Sequence, residues 1–295
     1  MNNSLYDFKA AIHAAGLEPP KHIEPGKVIR FAGSGKRPSN SAAWCLLFND
    51  GLGGCFGDWS TGLNETWQAK REQTYTQEER AAFNRQVTET KDRLKAEQKA
   101  KHIKAAQRAV SIWDRSSPAP ANFPYLLNKG IQPHEARFYH RLLVLPVIDI
   151  KNSLTSLQFI ANDGGKKLLS GGQKQACFIP VAGSRYNFSK VVICEGWATG
   201  CTLACYEPGA FVVAAIDAGN LQPVATQFRL YYPHIDLIVA GDDDRQTQNN
   251  PGKTKALSAA IAADALLAMP QWPKDAPEHL TDFNDLAIWL KRGQA

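Results

Sequence analysis

The last third of the chain restricts the fold most. Residues 187–295 alternate short apolar runs with longer segments rich in small residues. Lys190-Val-Val-Ile-Cys194 leads into a helical pattern over Ala198–Tyr206, and Phe211-Val-Val-Ala-Ala-Ile216 into one around Pro223–Tyr231. Ile235-Asp-Leu-Ile-Val-Ala240 is followed by a loop and an Ala-rich stretch, read as one long helix from Thr254 to Met269. Apolar runs without polar alternation mark strands covered on both faces, and helices between them imply parallel crossovers. The expectation is an α/β domain with a mainly parallel sheet, whose ligands collect at the carboxyl ends of the strands.

Three acidic points fall at or near those ends. Glu195-Gly196 directly follows the first strand, Gly241-Asp-Asp-Asp244 directly follows the third, and Asp282-Phe-Asn-Asp285 comes after a Pro-containing loop. Carboxylates converging on one sheet edge repel one another unless a cation lies between them. Hard oxygen donors favour Mg²⁺ or Mn²⁺ over zinc. Such a cluster can orient a nucleoside triphosphate for in-line displacement. Each motif alone has an ordinary explanation: a turn, a solvated loop, or Asp282 capping a helix that carries Leu286 and Trp289.

The front of the chain has a different character. Residues 1–186 carry 26 Lys+Arg against 16 Asp+Glu, whereas residues 187–295 carry 8 against 12. A basic front suits a polyanion and an acidic back suits metal ions. Residues 1–68 are expected to form a small β-rich domain, with strand-like Lys27–Phe31 and Ala43–Phe48 and a turn at Gly51–Gly54. Phe31, Trp44, Phe48, Phe56, Trp59 and Trp67 lie there beside Arg30, Lys36 and Arg37. That mixture fits either base stacking with phosphate contact or a plain aromatic core.

Residues 69–117 form a charged helical connector, with the helical composition beginning near Asn64 and Thr76-Gln-Glu-Glu79 in the form of a capping box. Residues 118–186 return to strands. Leu142–Asp149 and Leu154–Ile160 make a hairpin-like pair, followed by the basic Gly164-Gly-Lys-Lys-Leu-Leu-Ser-Gly-Gly-Gln-Lys174.

Six cysteines (Cys45, Cys55, Cys177, Cys194, Cys201 and Cys205) show no CxxC pair and no zinc-finger spacing, which points to buried free thiols. No run approaches the roughly 18 apolar residues of a membrane helix, and Met1–Leu17 has no signal-peptide core. A cytoplasmic location without membrane contact is expected.

The strand-Glu-Gly and strand-DxD order resembles the Toprim domain of bacterial primases, topoisomerases and some nucleases. Glu195-Gly-Trp-Ala-Thr-Gly200, Ala215-Ile-Asp-Ala-Gly-Asn-Leu221, Asp242-Asp-Asp244 with Asn250-Pro-Gly-Lys253, and Asp282–Asp285 are similar to primases of conjugative plasmids and satellite phages. Gly26–Phe31 and Phe56–Gly62 carry a fainter likeness. The resemblance implies a basic α+β primase subdomain at 118–186 ahead of a Toprim catalytic domain at 187–295, with residues 1–68 as a template-binding domain. It makes Glu195, Asp242 and Asp244 the catalytic acids, and Asp282 and Asp285 further metal ligands. Lys167, Lys174, Arg141 and Asn220 are the candidate contacts to nucleotide or template.

The activity implied is a nucleotidyltransferase that makes short RNA primers on single-stranded DNA from ribonucleoside triphosphates for a plasmid or phage, with a separate replicative helicase as a further partner. Two departures stand out. Thr199 occupies a position that is often acidic in the replicative primase, and the zinc ribbon of that enzyme has no ligand set here. No GxxxxGK[ST] stretch occurs, so no fused helicase is expected. A Toprim-type nuclease and a non-catalytic single-stranded-DNA-binding accessory protein remain the alternatives.

Overall fold

The computed structural model describes residues 2–70 and 74–293, and the chain divides into two compact units, Met1–Lys99 and Ala100–Ala295. Residues 71–73 of the expected connector lie outside the described residues.

The first unit opens with helix α1 (Asn2–Ala14), followed by strands β1 (Ile29–Phe31), β2 (Ala43–Leu47), β3 (Gly53–Asp58) and β4 (Leu63–Gln68). The strands pair in sequence order as an antiparallel meander. Phe8 and Ile12 of α1 pack with Cys45, Leu47 and Phe56 in one core. Trp44, Leu46 and Phe48 form a second core with Leu94 of helix α2 (Gln77–Asp114). Residues 64–68, read as the start of the helical segment, are therefore strand, with Asn64 to Gln68 paired along Gly57 to Gly53. The polar composition there describes a sheet edge rather than a helix face. At the start of α2 the capping box is reciprocal: Glu79 N–H donates to Thr76 Oγ1 at 3.2 Å, and Thr76 N–H donates to the Glu79 carboxylate at 2.8 Å.

The aromatic residues of this unit are mostly core. Trp44, Phe48 and Phe56 are buried. Trp59 stays half-buried, stacked on Trp44 at 6.0 Å with the Arg30 guanidinium 5.8 Å from its ring centre. Of the two readings open for this set, the buried members follow the aromatic-core one, because a meander this small needs its large rings inside.

The second unit contains two five-stranded sheets. The first comprises β5 (Ser117–Pro118), β6 (Arg137–Tyr139), β7 (Leu142–Ile148), β8 (Leu154–Ile160) and β9 (Lys166–Leu168), antiparallel in sequence order, with helix α3 (Pro124–Lys129) between β5 and β6. Ala109, Ile112 and Trp113, on the last turns of α2, pack with Val144, Leu157 and Phe159 of this sheet.

The second sheet has the order β10-β12-β11-β13-β14. Its members are β10 (Ile179–Ala182), β11 (Lys190–Cys194), β12 (Phe211–Ala214), β13 (Asp236–Ala240) and β14 (Leu266–Ala268). Four strands are parallel and β10 is antiparallel to β12. Helices α4 (Trp197–Tyr206), α5 (Ala218–Tyr231), α6 (Pro251–Ala262) and α7 (Phe283–Gly293) complete the unit. Two apolar cores, one including α4 and the other α5 and α6, bury Val192 and Ile193 respectively, so β11 is covered on both faces.

The expected single helix over Thr254–Met269 is instead α6 and a fourth parallel strand. Asp264 adopts a left-handed φ of 48° that ends the helix, and Leu266–Ala268 then pairs with Ile238–Ala240. Among the described residues no helix is long and apolar enough to cross a membrane.

Candidate active site

The strand register brings the acids together. Cys194 aligns with Ala214 on one side and Ala240 on the other. Glu195, Asp217 and Asp242 therefore leave the same sheet edge one, three and two residues beyond their strands.

The loop after β13 is held by its neighbours. Asn250, at a left-handed φ of 42°, accepts from Asp244 N–H and donates through Nδ2 to Asp243 at 2.7 Å. Trp272 Nε1 donates to the other Asp243 oxygen, so the middle acid is structural and Asp242 and Asp244 flank it. Gly252 N–H donates to Asp244 Oδ2, and a Cβ at Gly252 would lie 2.6 Å from the Asp242 carbonyl, which explains the Asn-Pro-Gly sequence. Asp243 N–H donates to the Thr281 carbonyl at 2.6 Å, fastening Asp282 to the same loop. Asp282 accepts from Asp285 N–H at 2.8 Å, so it caps α7 as well. Asn284 anchors α7 by donating to Thr202 Oγ1 and to the Lys129 carbonyl.

Electrostatics mark Glu195, Asp242 and Asp282 as one group. Burial pushes the Asp242 carboxyl up to about 8, reinforced by Glu195, Asp282 and Asp244. Burial raises Glu195 to about 6, with Asp217 and Asp244 adding to it, while Ala218 N–H and Lys166 oppose. Asp282 is raised by burial and then by Asp285. Asp242 Oδ1 is buried without a hydrogen-bond partner. A divalent cation suits these donors, because it would complete that oxygen and offset the mutual repulsion. Among the described residues no three acidic, His or Cys side chains form a ready cage. Mg²⁺ does not require one, since it binds through one or two carboxylates, water and substrate phosphate.

Asp285 takes a different position. Thr281 N–H donates to one of its oxygens and Lys129 Nζ lies 3.4 Å from the other, so it has a cationic partner while acting on Asp282. Asp285 is thus the partner of Lys129 and, at the same time, the first neighbouring charge acting on Asp282.

The basic candidates separate in the same way. Strand alternation puts Lys166 on the face of its partner Ile160, which belongs to the core shared with α4. Lys167 pairs with Phe159, on the face packed against α2. The Lys166 ammonium is 4.0 Å from where a Cβ of Gly196 would be, and its charge is coupled to Asp282, Glu195 and Asp242. Lys166 is thus the lysine at the acids, and Lys167 is directed away from them. Lys174 reaches the edge through Asp217, at 2.7 Å. Arg141 is exposed, with φ 66°, at the tip of the β6–β7 hairpin.

Asn220 cannot touch a nucleotide. It is 1% exposed, its Nδ2 donates to the carbonyls of Lys174, Cys177 and Ala215, and its Oδ1 accepts from Ala176 N–H. It holds the segment that carries Lys174, a positioning task. Asp217, Lys166 and Lys129 were missed as site residues. Asp217 had a legible signal, an acid just beyond the second apolar run; it follows Ile216, a β-branched residue held at φ 81°. All six cysteines are free, five of them buried and Cys205 exposed.

Residues 190–295 match the Toprim domain family. The chain is 30% identical over 272 residues to a DNA primase TraC of Escherichia coli, an alignment covering 86% of this chain and 25% of that protein. A second Escherichia coli DNA primase TraC is 31% identical over 233 residues, 74% of this chain and 16% of that protein. The chain therefore spans a quarter or less of the length of these relatives. The primase fragment of the bacteriophage T7 primase-helicase protein aligns at a TM-score of 0.39 and 16% identity, covering 57% of this chain and 70% of that one.

Proposed function

We propose that this chain, whose residues 190–295 match the Toprim domain family, is a DNA primase joining ribonucleotides on a single-stranded DNA template. The kinship with the TraC DNA primases supports the reading. The observation that carries it is the meeting of Glu195, Asp242 and Asp282 with the Lys166 ammonium at one sheet edge.

Glu195 and Asp242 present the carboxyl groups that a cation would ionise where an incoming polyphosphate must approach, with Asp244 and Asp282 beside them. A bound Mg²⁺ or Mn²⁺ would neutralise charge on the transferring phosphoryl group and its leaving group. Glu195, with its raised affinity for a proton, is suited to take the proton of the attacking 3′-hydroxyl. Lys166 supplies positive charge to a phosphate oxygen, and Lys174 is oriented for the same purpose by Asp217. Residues 118–186 serve as the basic wall of the catalytic region. Residues 1–68 bind template through the Arg30–Trp59 pair and the exposed Lys36 and Arg37.

Incubation with single-stranded DNA, labelled ribonucleoside triphosphates and Mg²⁺ or Mn²⁺ tests the reading. Short RNA products that vanish with EDTA are expected. Cleavage of the DNA would instead make the site a nuclease, and DNA binding without either product would make the chain an accessory protein.

A further inference from the structure

Residues 269–281 join β14 to α7 without helix or strand, and they include Pro270, Pro273 and Pro277. A loop of this length has no geometry of its own, so cross-links must set where Asp282 stands relative to Asp242. One link is the bond from Asp243 N–H to the Thr281 carbonyl. Trp272 and Arg245 supply the others. Trp272, in the loop, donates from Nε1 to the Asp243 carboxylate at 2.8 Å. Arg245, next to Asp244, reaches the far end of the loop, where its Nη2 donates to the Pro277 carbonyl at 2.7 Å and the Leu280 carbonyl at 3.1 Å.

The direction of Arg245 is the informative feature. Its guanidinium lies 4.4 Å from the centre of the Trp272 ring and bonds to neutral carbonyls, although Asp244 is its neighbour in the chain. Its Nε is buried with no hydrogen-bond partner among the described residues. A guanidinium one bond short of satisfaction would gain by turning its fork to a carboxylate. The ring and the two carbonyls hold it in place instead. Turned to Asp242 or Asp244, it would supply the positive charge there and compete with Mg²⁺ or Mn²⁺ for the same oxygens.

We propose that Trp272 and Arg245 are positioning residues for the divalent cation. Together they fix the acids after β13 against Asp282 and keep the Arg245 charge off the carboxylates. They act through Asp243 and the loop main chain, as residues behind a metal site orient its ligands. The assignment rests on the reading of the acidic edge as a metal site, and it does not require that the reaction be primer synthesis.

Titration of the full chain with Mn²⁺, followed by electron paramagnetic resonance of the free ion, tests this without turnover, and circular dichroism verifies folding. Trp272→Ala releases both Asp243 and Arg245, and should weaken Mn²⁺ binding on the order of tenfold. Trp272→Phe keeps a ring over Arg245 and loses only the bond to Asp243, so a smaller, several-fold loss is expected. Arg245→Met loses the carbonyl bonds but leaves no competing cation, so it too should cost less than Trp272→Ala. The double variant Trp272→Ala/Arg245→Met should therefore bind Mn²⁺ more tightly than Trp272→Ala alone, a rescue that a merely structural pair would not give.

Wild-type Mn²⁺ affinity in folded Trp272→Ala would overturn the proposal, and so would a double variant that binds no better than Trp272→Ala. Should Trp272→Ala fail to fold, Trp272→Phe decides: several-fold weaker binding supports the positioning role and unchanged binding refutes it. In primer synthesis, the Mn²⁺ concentration for half-maximal rate should rise in Trp272→Phe more than the rate at saturating Mn²⁺ falls. A wild type that binds Mn²⁺ and makes no primer would end the primase reading and leave the positioning roles standing. A wild type that binds no Mn²⁺ would remove the metal site and the proposal with it.

Discussion

Lys174 brings its ammonium to 2.7 Å from the Asp217 carboxylate, and this ion pair ties the basic stretch after β9 to the acidic edge of the parallel sheet. After burial, Asp217 is the first neighbouring charge acting on Glu195, so the pair contributes to the field at the proposed catalytic carboxylate. Asn220 supports the same link from below, through the Lys174 carbonyl.

Lys174→Ala should lower primer synthesis by about tenfold and leave Asp217 uncompensated beside Glu195. Lys166→Ala should cost at least as much, and Lys167→Ala far less, because β9 turns Lys167 to the opposite face. Primer yield against salt concentration checks this, with a lower yield and a shallower decline expected for the first two, because each has lost a phosphate contact. Equal losses at Lys166 and Lys167 would contradict the division of faces.

Asp242→Ala and Asp244→Ala should abolish primer synthesis with secondary structure retained. Glu195→Gln should be similarly inactive, because the amide keeps the shape without accepting a proton. Circular dichroism alongside the primer assay separates lost chemistry from lost fold, and full activity in any of the three would refute its catalytic placement.

The metal-free protein should lose stability as pH rises. Asp242 at about 8 and Glu195 at about 6 both exceed the values of an unfolded chain. The folded state therefore holds protons that the unfolded chain releases from about pH 4 upward, and the unfolding free energy declines through that window to about pH 8. Thermal melts in EDTA should show the decline, Asp242→Asn should flatten it, and Mg²⁺ or Mn²⁺ should raise the melting temperature most at the alkaline end. A metal-free melting temperature that climbs between pH 5 and 8 would run against the buried, mutually repelling acids.

Asn220→Ala should destabilise the protein by about 3 kcal/mol, since it strands three carbonyls and one N–H in a buried setting. Chemical denaturation measures this directly. A neutral effect on stability with a specific loss of nucleotide affinity would restore Asn220 as a ligand contact.

In the first unit, Trp59→Ala and Arg30→Ala should each weaken single-stranded DNA binding several-fold with little loss of stability. Trp44→Ala should unfold the unit, at a cost of about 3–5 kcal/mol. Fluorescence anisotropy with a labelled oligonucleotide and thermal melts distinguish the two outcomes. Unchanged DNA affinity for Trp59→Ala and Arg30→Ala would leave the unit without a demonstrated template contact.

Local sequence alone determined a good part of this protein. Lys190–Cys194 reads as a fully covered strand because it has no polar alternation, and it is one. Thr76 and Glu79 form the reciprocal cap that their spacing implies. Glu195 and Asp242 were legible as sheet-edge acids because each follows an apolar run closely. These features depend on residues a few positions apart, where periodicity and capping chemistry act.

Tertiary structure decided the rest. Leu266–Ala268 became a strand because the edge of β13 was free to pair, which overrode a helical composition. Trp44, Phe48 and Phe56 entered the core because a small meander must bury its rings. Lys166 rather than Lys167 met the acids because the register of β9 on β8 chose one face, and a shift of one residue would have exchanged them. Asn220 turned inward, Asp285 turned to Lys129, and Tyr125 came to line a cavity with Trp289, more than 160 residues away in the chain. Such encounters between distant segments are set by packing and strand register, and no local pattern encodes them.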